Sequence, residues 1–323
     1  MRLSHAESIL FRTGPNNITV LFEADGSFDP TVVLQGLHQM VEGAERFHRT
    51  IESNFGPQFS AVRPINWSEH VAILEAPDLS ATAMMDVARR MALSKSRPLW
   101  RAVIANPKGD GWTGLVLHFD HAIADGTRIS RHITRRTLVR NAAGTPVDSL
   151  PVVSLDGLNQ QTDAMLTPSQ PALLRLEFDA LSHLAVGSSG HSDALLRLGK
   201  RILDTETAFA DLSKRRRNRA SVARIEALQS GRDTLGNHAR MMEVDLSKSS
   251  ERSPALFKVE RTPWIERMRM AVAGGVPAKV LRPVVQAEFS RPGIVLTVVP
   301  GARFLPPLFG LDLKAIHPAA PVL

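Results

Sequence analysis

One stretch limits what this chain can fold into more than any other. Gly114-Leu115-Val116-Leu117 is apolar and strand-like. Residues His118 to Gly126 then read His-Phe-Asp-His-Ala-Ile-Ala-Asp-Gly, and Thr127 opens a segment that reads as helix to about Asn141. A strand that delivers His121 into a turn, with Asp125 four residues on, suits a general base, because imidazole titrates closest to neutral pH. Gly126 closes the turn and is expected to take a backbone conformation that a Cβ would resist. Ala122 and Ala124 leave room around the ring. Strand alternation puts Leu117, Phe119 and His121 on one face and His118 and Asp120 on the other. Asp120 therefore points away from His121, although the two are adjacent in sequence.

Three readings of this stretch stay open on its residues alone. His118, Asp120 and His121 can be ordinary polar residues at a strand end. They can be metal ligands, since His-x-Asp-His is part of the signature of binuclear zinc hydrolases. That signature needs another histidine two residues earlier, where Val116 stands. The third reading takes His-x-x-x-Asp-Gly as a catalytic box, and the rest of the chain bears on it.

A chain of 323 residues exceeds a typical single core, so two lobes are expected. The breaks place an N-terminal lobe at 1–144, a Pro-, Ser-, Asp- and Gln-rich crossover at 145–171, and a C-terminal lobe at 172–323. The first lobe alternates strand and helix signals. Ile18 to Glu23 reads as strand, and Asp29-Pro30 caps a helix carrying Val33, Leu37, Met40 and Val41. Phe47 to Ile51 and Val71 to Glu75 read as strands. Ser80 caps a helix whose buried stripe is Met84, Val87, Ala88 and Met91. Arg101 to Ala105 and Trp112 to Phe119 read as neighbouring strands around a Gly109-Asp110-Gly111 turn. Arg128, Arg131, Arg135 and Arg136 read as the solvated face of the helix after Gly126. Further on, Ser192 to Leu203 reads as helix, Lys214 to Arg219 as an exposed basic run, and Met241 to Leu246 and Gly293 to Val299 as strands. The class is α/β or α+β, with mixed sheets flanked by helices.

Composition closes several routes. There is no cysteine, which rules out disulfides, thiolate catalysis and cysteine-ligated metals. It also suits a reducing compartment, so a cytoplasmic location is expected. The first residues, Met1 to Glu7, lack the apolar core of a signal peptide, and no apolar run is long enough to span a bilayer. The net charge of +7 favours an anionic membrane surface or a phosphate-bearing co-substrate. Nucleic acid is the weakest candidate partner, because aromatics are sparse at 5% and no basic stretch is interleaved with stacking residues.

The box Asp120-His121-Ala122-Ile123-Ala124-Asp125-Gly126 resembles the HHxxxDG motif of the chloramphenicol-acetyltransferase-like superfamily. That superfamily includes condensation domains, plant BAHD acyltransferases and bacterial wax ester synthase/diacylglycerol acyltransferases. Ordered matches favour the last branch. Leu3-Ser4 with Glu7 looks like its opening, and Ser96-Arg97-Pro98-Leu99-Trp100 is similar to its RPLW segment. Leu235-Gly236-Asn237 looks like its second-lobe LGN. Val299-Pro300-Gly301, followed by Leu308-Phe309-Gly310, resembles its late VPG segment and the strand beyond.

The resemblance implies a two-lobed fold with a tunnel between the lobes. Acyl-CoA would be the co-substrate, and a long-chain alcohol or diacylglycerol the acceptor. It implies His121 as general base and Asp120, Asp125 and Gly126 as supports of the motif, with Asp125 pairing a basic residue. Pro98, Leu99, Trp100 and Asn237 would pack or line the tunnel. No bound cofactor and no metal are implied, and apolar substrates suggest peripheral contact with a membrane or lipid droplet. Three departures stand beside these matches. The family's first histidine is Asp120 here, a carboxylate expected to raise the pKa of His121 if it lies close. Ser192-Asp193 stands where Asn-Asp is usual. Ending at Leu323 makes the second lobe short. A non-catalytic acyl-CoA- or lipid-binding homologue, and an acyltransferase with another acceptor, are the alternatives.

Overall fold

The computed structural model describes residues 3–13, 16–42, 44–52, 57–109, 111–137, 149–154, 221–227, 235, 239–245, 276–277, 279–284, 294–297 and 307–319. In chain order, α1 (His5–Thr13) leads to β1 (Asn17–Ala24) and α2 (Pro30–Val41). A 3-10 turn at Glu45–His48 precedes the short pair β2 (Ile51–Glu52) and β3 (Gln58–Phe59). Then come α3 (Trp67–His70), β4 (Val71–Leu74), α4 (Ala81–Arg90), β5 (Trp100–Ala105), β6 (Gly114–Asp120), α5 (Gly126–Thr137) and β7 (Val152–Val153). The later elements are β8 (Ser221–Ala227), β9 (Ala239–Asp245), β10 (Ile294–Thr297) and β11 (Leu313–Ala319).

The first sheet has six strands in the order β11-β1-β6-β5-β4-β7. It is mixed. β1 pairs antiparallel with both β6 and β11, β5 with β6 is antiparallel, and β4 runs parallel to β5 and β7. A second sheet has the order β10-β8-β9.

The period-2 pattern sorts the side chains as alternation requires. Ile18, Val20 and Phe22 of β1, Leu115, Leu117 and Phe119 of β6, and Ala102 and Ile104 of β5 form one core with Val33, Leu34, Leu37 and Met40 of α2 and Ile129 and Ile133 of α5. Leu21, Val103 and Val116 point the other way, onto Met84, Met85, Val87 and Ala88 of α4. Helices thus cover both faces of the sheet, the arrangement that buries two apolar faces at once. Both capped helices begin where the sequence places them. Asp29 Oδ1 accepts from Thr31 N at 2.8 Å, and Ser80 Oγ from Ala83 N at 3.2 Å.

The β5–β6 hairpin is as expected, and its turn needs glycine: Gly111 has φ +79°, and a Cβ there would run into Pro77 O. Phe47 to Ile51 is not a strand. Phe47 closes a 3-10 turn by donating its amide to Ala44 O at 2.9 Å, and only Ile51 and Glu52 extend. The reason is Phe47 itself, a single buried anchor that meets Trp100 edge-on at 5.9 Å and offers its carbonyl to Trp100 Nε1 at 3.0 Å. Nor are the arginines of α5 all solvated. Arg131, Arg135 and Arg136 are exposed, but Arg128 is turned inward.

The strand expected at Gly293 to Val299 is observed as β10, and that at Met241 to Leu246 as β9. The helix expected at Ser192 to Leu203, the basic run at Lys214 to Arg219, and Asn237 lie outside the described residues. Segment 307–319, grouped by sequence with the second lobe, is placed against the first sheet. Phe309 is fully buried on Phe22 at 5.2 Å, and β11 forms the edge beyond β1. Among the described residues, no helix is long and apolar enough to cross a membrane.

Candidate active site

β6 runs through Asp120 and stops, so His121 stands in the turn rather than in the strand. The turn is fixed by backbone bonds from several elements. His121 N–H donates to Asn16 O at 2.8 Å, just before β1. Asp120 N–H donates to Leu99 O at 2.9 Å, and Ile123 N–H to Asp120 O at 3.0 Å. Asp120 Oδ1 accepts from Ala122 N–H at 2.8 Å, an Asx-turn that turns the chain out of the strand. Ala122, Ile123 and Ala124 are all buried.

Asp125 ends the turn and starts α5. Its Oδ1 accepts from Arg128 N–H at 2.9 Å, the N-cap bond, and its Oδ2 lies 3.4 Å from Arg128 Nε. Arg128 is thus the basic partner of Asp125. Sequence reading places Arg128 on a solvated face and does not identify this partner; the i,i+3 spacing is the signal that could have found it. Gly126 is the first helical residue of α5, so the special turn conformation expected of it is not why glycine stands there.

The His121 ring is half-buried, while the turn beneath it is closed. Burial holds the imidazole below its ordinary pKa, and the Asp125 charge pulls against that. A ring whose basicity burial lowers, with a carboxylate acting on it, can take a proton and have the resulting imidazolium stabilised. The carboxylate that raises the His121 pKa is Asp125. Asp120 instead turns its Oδ1 to the Ala122 amide. Burial pushes the Asp120 carboxyl up to about 6, against the Ala122 hydrogen bond and the Lys95 charge.

His118 is fully buried on the Asp120 face. Its Nδ1 accepts from Thr19 Oγ1 at 2.8 Å and its Nε2–H donates to Met91 O at 3.0 Å. Both ring nitrogens are used by protein partners, so His118 has no lone pair left for a metal. Burial carries its pKa down to about 4.

The RPLW residues sit beneath the site. Pro98 is half-buried, Leu99 is buried, and its carbonyl receives the Asp120 amide. Trp100 lies in the core, stacked on His70 at 4.5 Å.

Sequence reasoning missed two contributors. Asn16 supplies the carbonyl under His121. Arg46 Nη1 donates to Ala122 O at 2.7 Å and to Glu7 Oε1 at 2.6 Å. Glu7 is held in turn by Ser4, whose N–H reaches Oε2 at 2.6 Å and whose Oγ accepts Glu7 N–H at 3.2 Å. Ser4-x-x-Glu7 is a capping box, so that half of the contact was legible; its long-range partner was not.

No family model matches this sequence, and no curated protein sequence matches it. Solved structures do. A variant of the starter condensation domain of rhizomide synthetase, in complex with C8-CoA and Leu-SNAC, is similar over 99% of this chain and 82% of its own, at 13% identity and a TM-score of 0.54. The first condensation domain of the calcium-dependent antibiotic synthetase, in complex with a substrate analogue, is similar over 98% of this chain and 84% of its own, at 16% identity and a TM-score of 0.54. The likeness is one of fold: this chain has the two-lobed condensation-domain, chloramphenicol-acetyltransferase-like architecture of mixed sheet and flanking helices.

Proposed function

We propose that this protein transfers an acyl group from an acyl-CoA thioester to a hydroxyl acceptor, with His121 as general base. The observation that carries the reading is the place of His121, a mostly buried histidine in the turn between β6 and α5 on which the Asp125 carboxylate acts. The ring takes the hydroxyl proton as the oxygen attacks the thioester carbonyl. The new C–O bond forms, the C–S bond breaks, and the imidazolium returns its proton to the departing thiolate. Asp125 stabilises the charged ring between these steps. No residue is acylated, which fits a chain without cysteine.

The ordered Arg97-Pro98-Leu99-Trp100 and Leu308-Phe309-Gly310 matches support a fatty alcohol or diacylglycerol as acceptor, giving a wax ester or triacylglycerol. The fold likeness to condensation domains favours a second reading, in which an amine accepts the acyl group on the same base. With apolar substrates and a net charge of +7, the protein meets its acceptor at an anionic membrane or lipid surface. Flotation with anionic vesicles at low salt tests that contact, and no binding counts against it.

The deciding experiment is release of free CoA from long-chain acyl-CoA, with fatty alcohol, diacylglycerol and amine acceptors in parallel. His121→Ala should lower acceptor-dependent release by about 10²–10⁴-fold, the usual range for general-base catalysis. Wild type and variant behaving alike would refute the mechanism. Saturable acyl-CoA binding without turnover would mark a binding protein instead.

A further inference from the structure

We propose that Arg46 is a positioning residue for His121, acting through the Ala122 carbonyl and held in place by Glu7. The inference rests on the acyl-transfer reading above and adds to it a clamp that runs from the first helix to the reacting ring.

Arg46 comes from the 3-10 turn at Glu45–His48, distant in sequence from both partners. Its side chain is 13% exposed and that of Glu7 1% exposed. One nitrogen, Nη1, serves both contacts, with one hydrogen to the carboxylate and one to Ala122 O. The guanidinium carbon stacks over the Phe59 ring at 4.9 Å, which limits its other movements. Glu7 is itself fixed by the Ser4 backbone, so the carboxylate anchors the guanidinium instead of following it.

Ala122 is the residue directly after His121, and its carbonyl is part of a buried turn. A buried carbonyl needs a donor. The amides on either side of this carbonyl are already committed: His121 N–H to Asn16 O, Ala122 N–H to Asp120 Oδ1 and Ile123 N–H to Asp120 O. Arg46 supplies the remaining restraint and the one charged donor among them. With it the peptide between Ala122 and Ile123, one residue beyond His121, is held at both ends, and the turn that carries the ring keeps one course. What the guanidinium adds is direction.

A misplacement of about 1 Å in a catalytic group can cost up to ~10²-fold in rate. Arg46→Met keeps the apolar stem over Phe59 and removes both donors. Its kcat for CoA release should fall about 10–100-fold, with KM for acyl-CoA within about twofold of wild type. The His121 titration midpoint, read by NMR, should rise toward the ordinary imidazole value as the loosened ring gains water. Arg46→Lys restores the charge and should recover part of kcat; Glu7→Gln should fall between the two.

A folded Arg46→Met with wild-type kcat and an unmoved midpoint would overturn the proposal. Should Arg46→Met fail to fold, Arg46→Lys and Glu7→Gln carry the same two readouts. Should the wild-type protein release no CoA, the acyl-transfer reading fails. The NMR midpoint then decides the clamp alone: a rise supports it, and no change overturns it.

Discussion

Asp125 offers the sharpest test of how the turn is held. Asp125→Ala removes two contacts made by one side chain: the cap on Arg128 N–H and the ion pair with Arg128 Nε. Loss of a helix N-cap costs about 1 kcal/mol. The larger effect is on Arg128, whose side chain is 10% exposed and would be left without its carboxylate, against 2% for Asp125 itself. Breaking a buried pair on one side costs about 3–5 kcal/mol, and the partial exposure of Arg128 places this case near the lower figure. The two losses overlap because they share a residue, so the expected total is roughly 3–4 kcal/mol. In a domain of this size that lowers Tm by about 10 °C. Asp125→Asn keeps an acceptor for the cap and should lose roughly 1 kcal/mol less than Asp125→Ala. The double variant Asp125→Ala/Arg128→Met also removes the cation that has lost this carboxylate and should be more stable than Asp125→Ala alone. Urea unfolding followed by circular dichroism measures these three variants, Arg128→Met alone and the wild type. If the double variant loses as much as Asp125→Ala and Arg128→Met added together, the pair is not coupled and the reasoning fails.

Two further predictions follow from single residues. Burial raises Asp120 to about 6, so between about pH 4 and pH 6 the folded state holds a proton that the unfolded state has released. The stability from this group is complete at low pH and lost as pH rises through about 6. Asp120→Asn keeps an acceptor for Ala122 N–H but does not titrate. Variant-minus-wild-type stability should climb by roughly 2–3 kcal/mol from pH 4 to pH 6 and then level off. A flat difference would show an ordinary carboxylate. The comparison must be a difference, because His118, held down to about 4, acts in the opposite direction and loses stability as pH falls below about 6.5. Gly36→Ala tests the seat of segment 307–311 on α2, since a Cβ at Gly36 would lie 2.7 Å from Phe309 Cα. Helix propensity alone would favour alanine by about 1 kcal/mol. Overpacking against backbone should outweigh that, for a net loss of roughly 1–2 kcal/mol and faster hydrogen exchange at the Leu311 amide. A gain in stability would refute the close approach.

How far the sequence reaches depends on the range of each interaction. The strand–turn–helix around His121, the caps at Asp29 and Ser80, and the two-faced alternation of β1, β5 and β6 are local patterns. Each is set by backbone geometry within a few residues, so each is written in the order of the side chains. Alternation reaches only as far as Asp120, because β6 ends there and His121 stands in the turn. The limits came where tertiary contact outweighs local preference. Phe47 to Ile51 has the composition of a strand, yet one aromatic ring finding Trp100 makes it a 3-10 turn. Arg128 lies on a basic helix face, yet Asp125 draws it inward.

The sequence alone determined the strand–turn–helix that carries His121. Only the tertiary structure decided what that turn is packed against and bonded to. Glu7, Arg46 and Ala122 are brought together from three separate elements, and β11 reaches β1 across most of the chain. Periodicity carries no record of such meetings, because they depend on how packed layers close and not on the spacing of neighbours.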